Sequence, residues 1–334
     1  MNKILSVIIP TYNMEGYIER CLDSLIVPQS VESLEVLVVN DGSKDRSSEI
    51  AHRYQERYPQ VFKVIDKDNG NYGSCINCGL KVATGKYVKI LDSDDFFDVE
   101  NFDEFLKVLS QIDVDMVLSD TLRILKDGTV LRKDVFTMQP FQKLPFAPYQ
   151  NLDELQMHCI AYRRQVLVDM QYSQTEGISY TDTEWAFYPV GNVETIFYFN
   201  KPVYKYLLGR NGQTVDPEVF RKGLAQRMVI SRRMVDFWTS HQNEKAQAYL
   251  DQCLLLRMRR EYKRILLEKG DLSQLLEFDR FVQEHSPKLY DLLDKSLFGR
   301  CEKIHFIRDF RKLHKASFRF RFCAVLHRIL GNRP

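Results

Sequence analysis

The sequence predicts an α/β fold in which a mainly parallel sheet flanked by helices precedes a helical C-terminal region. In the first 120 residues, short apolar runs rich in β-branched residues alternate with amphipathic segments, a pattern typical of strand–helix units around a parallel sheet. After Asp216-Pro217 the chain becomes polar, and leucine, methionine and arginine recur at helical spacing. These two patterns together predict the fold class.

Strands and helices are expected to alternate through the first quarter of the chain. The strands are expected near residues 4–9, 34–39, 61–65 and 86–91. The helices are expected near residues 15–27, 44–58 and 72–83, with Ser43 capping the second and Gly85 following the third. Further strand-like pieces follow over 113–215, with a hairpin signal at Lys126-Asp127-Gly128 and a loop from Met138 to Pro148. In doubly wound sheets of this kind, nucleotides bind at the carboxyl ends of the strands.

Composition excludes several classes of protein. A formal net charge of +2 over 334 residues is too small to favour nucleic acid as the main partner. The chain has no run of about 18 apolar residues, so we expect it to work in the cytoplasm, with any membrane contact peripheral at the inner face. Seven scattered cysteines indicate a reducing compartment. Cys75 and Cys78 lack a second ligand pair, so packing on a helix is favoured over zinc or redox chemistry.

The segment 303–334 is strongly basic and interleaved with aromatic and aliphatic residues. It contains nine lysine and arginine residues against one acid, Asp309, which gives a net charge of +8. This mixture suits a segment lying on an anionic membrane surface. The alternative is a C-terminal helix packed on the domain with a solvated basic face.

A cluster of acids follows the apolar run that ends at Leu91. The sequence there is Asp92-Ser93-Asp94-Asp95. Divalent cations such as Mg²⁺ bind carboxylates together with substrate phosphates, so acids at a strand end favour a metal–diphosphate site. The alternative is an acidic turn that caps the helix expected to begin near Val99.

Polar residues also follow the first two predicted strands. Asp41 is placed to accept hydrogen bonds from a ribose or base, and Gly42 allows the chain to pass close to a ligand. The alternative for this turn is an ordinary Asx turn with Ser43 as the helix cap. After the first strand, Tyr12 is placed to stack on a base and Asn13 to fix the turn. No Gly-x-Gly-x-x-Gly or Walker A motif occurs, which argues against dehydrogenases and phosphate-loop ATPases.

These motifs, in this order, resemble glycosyltransferase family 2, whose members are inverting enzymes of the GT-A fold. The matching segments are 6–13, 39–43, 69–79, 83–88 and 92–95. The resemblance covers roughly residues 4–215 and implies a glycosyltransferase domain over 1–215. That domain divides into a nucleotide-sugar half, 1–120, and an acceptor half, 121–215, before the helical region 216–334.

The resemblance also implies roles for individual residues. The residues expected to bind the nucleotide-sugar are Pro10, Thr11, Tyr12, Asn13, Glu15, Asp41, Gly42, Asn71, Asp92, Ser93 and Arg210. Asp94 is expected to bind Mn²⁺ or Mg²⁺, which acts as a Lewis acid on the leaving nucleoside diphosphate. Asn71 is neutral where a cation would help hold the diphosphate, so Lys67 or Arg210 is expected to supply that contact.

The resemblance implies a general base in the stretch 177–185, and Asp182 is the candidate. Thr181 stands where family members commonly have Glu. Glu184 is the competing base, and the remaining alternative is that Asp182 only caps a helix over 183–190. His158 is expected either to line the acceptor cleft or to be structural, since no metal ligands lie at suitable spacing in the sequence.

The expected reaction is a single sugar transfer from a nucleoside-diphosphate donor, most often UDP in this family. The processive members add a Gln-x-x-Arg-Trp motif and membrane-spanning helices, and neither is visible in this sequence. The acceptor is expected to be a glycan or lipid-linked glycan of a cell-surface polysaccharide or glycolipid. Two alternatives are a sugar-nucleotide pyrophosphorylase and a non-catalytic carbohydrate-binding scaffold that keeps the fold.

Overall fold

The computed structural model describes residues 3–27, 30–149, 152, 155–209, 222–241, 246–267, 271–298 and 304–329. The chain divides into two units. Unit 1 comprises Met1–Asp216 with Asn243–Ala246, and unit 2 comprises Pro217–Gln242 with Gln247–Pro334.

A mixed sheet with helices forms unit 1. Its strands are β1 (Leu5–Thr11), β2 (Leu34–Asn40), β3 (Phe62–Asp66), β4 (Tyr87–Ile90), β5 (Phe96–Phe97), β6 (Met116–Leu125), β7 (Val130–Asp134), β8 (Lys143–Pro145), β9 (Ile160–Arg163) and β10 (Thr195–Leu208). Its helices are α1 (Ile18–Asp23), α2 (Ser47–Arg57), α3 (Asn71–Val82), α4 (Val99–Gln111), α5 (Arg164–Asp169) and α6 (Asp182–Trp185).

The strand order is β3-β2-β1-β4-β9-β6-β10-β5, with β7 beside β6 and β8 beside β10. The first four strands are parallel, as predicted. From β9 onward the pairing is mixed, because β9 runs antiparallel to both β4 and β6 whereas β10 runs parallel to β6. The α/β fold class is therefore confirmed, and the antiparallel β9 joins the two halves of the sheet.

The central strand β1 is buried along its whole length, which is typical of a parallel strand covered on both faces. Helix α3 lies close against it, since a Cβ on Gly79 would approach Ile8 Cγ2 to 2.6 Å. The predicted hairpin is also confirmed. β6 and β7 pair antiparallel around Gly128, whose φ of +86° is the left-handed conformation that glycine favours.

The predicted cap of α2 is wrong, and the capping alternative for the acidic cluster is excluded. Ser43 does not cap α2: its hydroxyl accepts from the Asn13 backbone N–H, and the Asp45 carboxylate accepts from Ser47 at the start of the helix. The acidic cluster 92–95 does not cap α4 either, because the Asp98 side chain does so by accepting from the Asn101 N–H. The carboxylates of the cluster are therefore not needed as caps.

Unit 2 is helical, in agreement with the sequence. Its helices are α7 (Leu224–Ser240), α8 (Gln247–Leu267), α9 (Leu272–His285), α10 (Pro287–Asp294), α11 (Phe306–Leu313) and α12 (Phe318–Ile329). A buried ion pair, Arg227 Nε to Glu261 Oε1 at 3.1 Å, joins α7 to α8. Within the described ranges, none of the helices is both long enough and apolar enough to cross a bilayer.

Candidate active site

The ends of three parallel strands meet at one edge of the sheet. The Asp41 N–H after β2 donates to the Thr11 carbonyl of β1 at 2.8 Å. The Ser93 hydroxyl after β4 donates to the Pro10 carbonyl at 2.9 Å. These bonds bring the polar residues that follow β1, β2 and β4 to the same edge, where ligands of such sheets bind.

Asp41 is buried and holds the start of α3. Its Oδ1 accepts from Lys67 Nζ at 2.6 Å and from the Gly70 N–H at 2.9 Å, and its carbonyl accepts from Asn69 at 3.0 Å. Gly42 has φ +74°, and a Cβ there would lie 3.3 Å from Asn69 N. The Asp41 carboxylate therefore makes long-range contacts, whereas Asn40 Oδ1 closes the local turn by accepting from the Ser43 N–H at 3.2 Å. The positive φ and the close backbone approach at Gly42 favour glycine.

Lys67 is drawn toward Asp41 and Ser74. Burial lowers the pKa of Lys67, but the hydrogen bond and the charge of Asp41 outweigh burial, so the pKa is raised overall. The ammonium also donates to the Ser74 hydroxyl at 2.9 Å. A diphosphate contact from Lys67 would have to compete with both partners. Arg210, the other cation predicted for that contact, lies outside the described residues.

The loop after β1 is fastened to the loop after β2. Asn13, at φ 52°, accepts from the Lys44 N–H at 2.8 Å through its Oδ1. Glu15 Oε2 accepts from the Arg46 backbone N–H at 3.1 Å and forms an ion pair with the Arg46 side chain, whose Nε lies 3.3 Å away. Through these contacts, Asn13 and Glu15 hold the loop after β1 in position against the loop after β2. The Tyr12 ring is exposed at this edge.

The acidic cluster is tied to α3 and to β10. Asp92 Oδ1 accepts from the Tyr72 hydroxyl at 2.8 Å. Asp95 is fully buried and accepts from the Tyr204 hydroxyl and the Leu207 N–H, each at 2.7 Å. Burial, with the charges of Asp94 and Asp92, raises the pKa of Asp95 well above its usual range. Asp94 is buried as well, and its carbonyl accepts from Arg20 at 3.2 Å.

His158 joins this cluster, although the ligand spacing in the sequence did not suggest it. Ligand atoms of Asp92, Asp95 and His158 all lie within 4.8 Å of one another. The imidazole ring packs between Tyr204 and Tyr206, with centroids 4.8 and 4.7 Å away. The antiparallel pairing of β9 with β4 brings His158 to the acids. Sequence spacing could not predict this group, because His158 precedes β9 whereas the two acids follow β4, and these strands are neighbours only in the sheet.

Electrostatics and burial keep the His158 ring neutral. Burial lowers its pKa to about 3, with the positive charges of Lys89 and Arg123 adding to the effect. The Lys89 ammonium fixes the backbone by donating to the His158 carbonyl at 2.7 Å. Within the described part of the chain, His158 Nδ1 is buried without a hydrogen-bond partner. A neutral imidazole with an unused nitrogen is suited to bind a metal ion.

Asp182 is exposed at the first residue of α6, on a segment clamped against α3. The Gly177 N–H donates to the Gly70 carbonyl at 2.9 Å, and a Cβ on Gly73 would lie only 2.0 Å from the Thr175 carbonyl oxygen. The same helix start is held by Asp41, so α3 connects the nucleotide edge to the segment of Asp182. Asn71, the first residue of α3, has φ 65°.

Tyr206 lies close enough to four carboxylates for their charges to act on its hydroxyl. Burial raises the pKa of Tyr206, and the negative charges of Asp95, Asp92, Asp94 and Asp182 raise it further. The Tyr206 hydroxyl is therefore affected both by the acidic cluster after β4 and by Asp182, the predicted base. These four carboxylates come from two distant parts of the sequence.

Glu184, the competing base, is fully buried. Its carboxylate accepts from the Thr175 N–H at 2.7 Å, the Thr175 hydroxyl at 2.6 Å and the Tyr188 hydroxyl at 3.3 Å. An acceptor sugar cannot reach this carboxylate without opening the segment that contains Thr175. Glu184 therefore has a structural part, and Asp182 is the accessible acid.

Comparison with known proteins agrees with this geometry. The family model for glycosyl transferase family 2 matches residues 6–170. The glycosyltransferase MG025 of Mycoplasma genitalium is 30% identical over 219 residues, which cover 63% of this chain and 70% of MG025. The glycosyltransferase EpsJ of Bacillus subtilis is 38% identical over 117 residues, 35% of this chain but only 33% of EpsJ.

A solved structure shares the fold over almost the whole length. Staphylococcus aureus TarS residues 1–349, in complex with UDP-GlcNAc, aligns with a TM-score of 0.69 and 21% identity, covering 98% of this chain and 92% of that one. The family model, the MG025 match and this fold agree. The chain belongs to glycosyltransferase family 2 and has the GT-A fold.

Proposed function

We propose that the protein is an inverting glycosyltransferase that moves a sugar from a nucleoside-diphosphate donor, first of all UDP, to an acceptor hydroxyl. The observation that carries the proposal is the acidic cluster after β4 at the same sheet edge as Asp41, together with the exposed Asp182 on a segment bonded to the start of α3. UDP is the first donor to test because TarS, which shares the fold, was crystallised with UDP-GlcNAc. A cell-surface polysaccharide or glycolipid is the proposed acceptor.

The donor occupies the edge of the sheet in this proposal. Tyr12 is exposed and free to stack on the base, while Asp41 lies where it can accept from the ribose or base. Asp92 and Ser93 lie at the end of β4, toward the ribose and diphosphate. Backbone N–H and C=O groups at the carboxyl ends of the parallel strands supply further hydrogen-bond donors and acceptors at this edge.

A divalent cation fits the residues around His158. Carboxylates suit Mg²⁺ and Mn²⁺, and an imidazole in the set favours Mn²⁺ over Mg²⁺. Asp94 is the ligand that the family resemblance implies, and Asp92, Asp95 and His158 are the group that the geometry adds. When bound, the metal would supply Lewis-acid stabilisation of the leaving nucleoside diphosphate.

Asp182 acts as the general base. The acceptor oxygen attacks the anomeric carbon on the face opposite the diphosphate, and its proton passes to the Asp182 carboxylate. A carbon–oxygen bond to the acceptor forms as the bond to the diphosphate oxygen breaks, so the anomeric configuration inverts. The exposed position of Asp182 allows an acceptor to approach, and the clamp of its segment on α3 fixes the distance to the donor.

The test is a donor screen of the purified chain. UDP-, GDP-, dTDP- and CMP-sugars are each added with Mn²⁺ or with EDTA, and thermal shift and slow donor hydrolysis are measured. We expect one donor to stabilise the protein and to be hydrolysed only with metal. Folded protein that responds to none of the donors would contradict the proposal and favour a non-catalytic scaffold.

Variants test separately whether Asp94 and whether His158 contribute to metal binding. Asp94→Ala and His158→Asn are compared with Glu56→Gln, a control on the exposed face of α2. We expect the first two to raise the Mn²⁺ concentration needed for half-maximal hydrolysis and the control to leave it unchanged. An unchanged Mn²⁺ requirement in His158→Asn would remove His158 from the site and leave Asp94 as the candidate ligand.

A further inference from the structure

Helix α12 is anchored in unit 2 by one face. Phe320, Cys323 and Ala324 on this face are buried. The Phe320 ring packs against Phe298 and Phe306, with centroids 4.8 and 5.1 Å away. The helix is therefore a fixed part of its unit.

The opposite face of α12 presents apolar side chains to solvent. Phe318 is 82% exposed, and Phe322 and Val325 are each 54% exposed. Because these positions are spaced i, i+4 and i+7, they lie along a single stripe of the helix. The rings of Phe318 and Phe322 stack with centroids 6.2 Å apart. Contiguous exposed apolar residues on a folded unit indicate a surface that binds a partner.

Exposed cations border this stripe on both sides. At 3.6 residues per turn, Arg319 and Arg321 project from opposite flanks of the stripe, and both are exposed. Lys312 in α11 and Lys315 between α11 and α12 are exposed as well and add to the positive charge of this segment. No acidic residue follows Asp309 in the sequence.

The basic residues of the C-terminal segment do not all belong to this surface. The Arg311 side chain is only 8% exposed and binds inward, with Nη2 2.9 Å from Asp279 and Nη1 3.1 Å from Asp294. Arg319 and Arg321 have no ion-pair partner among the residues that the structure describes. The segment therefore divides into an inward part that stabilises unit 2 and an outward part with unneutralised charge.

We propose that this basic aromatic face binds the surface of an anionic phospholipid bilayer, with α12 lying parallel to the membrane plane. The face consists of Phe318, Phe322 and Val325 with Arg319 and Arg321. The apolar stripe enters the boundary between headgroups and acyl chains, and the flanking cations remain at the level of the lipid phosphates. This arrangement matches the position of each side chain on the helix.

Charge complementarity selects the bilayer over a second copy of the chain. Two copies meeting through this face would bring like charges together at Arg319 and Arg321, which is unfavourable. An anionic bilayer offers negative charge on every side of the stripe. The proposal does not depend on the transferase activity, since membrane binding and sugar transfer are measured separately.

The test is co-sedimentation of the full chain with lipid vesicles. The vesicles contain phosphatidylcholine alone or mixed with phosphatidylglycerol, at low and high salt. We expect binding only to the mixed vesicles, weakened by salt. Each cation contributes about fivefold in affinity, so Arg319→Gln with Arg321→Gln is expected to weaken binding about 25-fold. Phe318→Ser with Phe322→Ser is expected to weaken it about tenfold or more, because the apolar insertion is lost.

A matched control variant tests whether any loss of binding is specific to this face. Arg53→Gln with Lys63→Gln changes the same number of exposed charges in unit 1 and is expected to bind as the parent does. Circular dichroism checks that each variant is folded. Equal binding to neutral vesicles, or an unchanged affinity in the Phe318 and Phe322 double variant, would overturn the proposal. So would a dimer in light scattering that these same substitutions dissociate.

Discussion

The pair Asp182→Asn and Glu184→Gln tests the proposal that Asp182 is the general base and that Glu184 is structural. The two carboxylates are two residues apart, and both substitutions keep the size of the side chain while removing the charge. The structure leads to opposite expectations for the two residues, because Asp182 is exposed and Glu184 is fully buried. We expect Asp182→Asn to lower turnover and Glu184→Gln mainly to lower stability.

The magnitude for Glu184 follows from three hydrogen bonds that its carboxylate accepts. They come from the Thr175 N–H, the Thr175 hydroxyl and the Tyr188 hydroxyl. Glutamine has one acceptor oxygen, but the two hydroxyls can turn to accept from its amide, so what is lost is mainly the charge in each bond. A hydrogen bond to a charged group is worth about 1 kcal/mol more than a neutral one, so we expect a loss of about 2–3 kcal/mol in the free energy of unfolding.

Asp182→Asn is expected to change the free energy of unfolding by less than about 0.5 kcal/mol, as for other exposed positions. Removing a general base lowers turnover about 100- to 10,000-fold. The measurements are urea unfolding followed by circular dichroism and transfer from the donor found in the screen, at a temperature where both variants are folded. Full turnover in Asp182→Asn, with turnover abolished in folded Glu184→Gln, would refute the reasoning.

Three further predictions follow from the contacts of the site. Asp41→Asn leaves Lys67 without its charged partner, so we expect the free energy of unfolding in urea to fall by about 2 kcal/mol. We also expect weaker donor binding by calorimetry. Unchanged donor affinity in the destabilised variant would contradict the nucleotide-binding role of Asp41. Gly73→Ala forces backbone apart at Thr175, so we expect a loss of about 1–3 kcal/mol and slower transfer, whereas Gly16→Ala, with open space around its Cβ, is the control and keeps both. Removal of metal by EDTA is expected to abolish donor hydrolysis reversibly, with Mn²⁺ restoring it; hydrolysis that persists in EDTA would exclude the metal.

Part of the candidate site could be predicted from sequence because it depends on strand ends. The apolar runs before Asp41 and Asp92 predict parallel strands, and the carboxyl ends of neighbouring parallel strands lie at one edge of the sheet. The structure places both residues at that edge. Asp182 was predicted from its position in a family motif and not from periodicity. Its exposure depends on how α6 packs against its neighbours, so only the structure shows it.

The sequence by itself determined the α/β class, the parallel first four strands, the hairpin at Gly128 and the helical C-terminal region. These depend on local periodicity and on turn residues, which are properties of a short window of chain. Only the tertiary structure decided that His158 joins Asp92 and Asp95, that Glu184 is buried, and that the basic segment splits into an inward Arg311 and an outward α12. The physical reason is that burial and charge pairing depend on which distant elements pack together, and no local pattern contains that information.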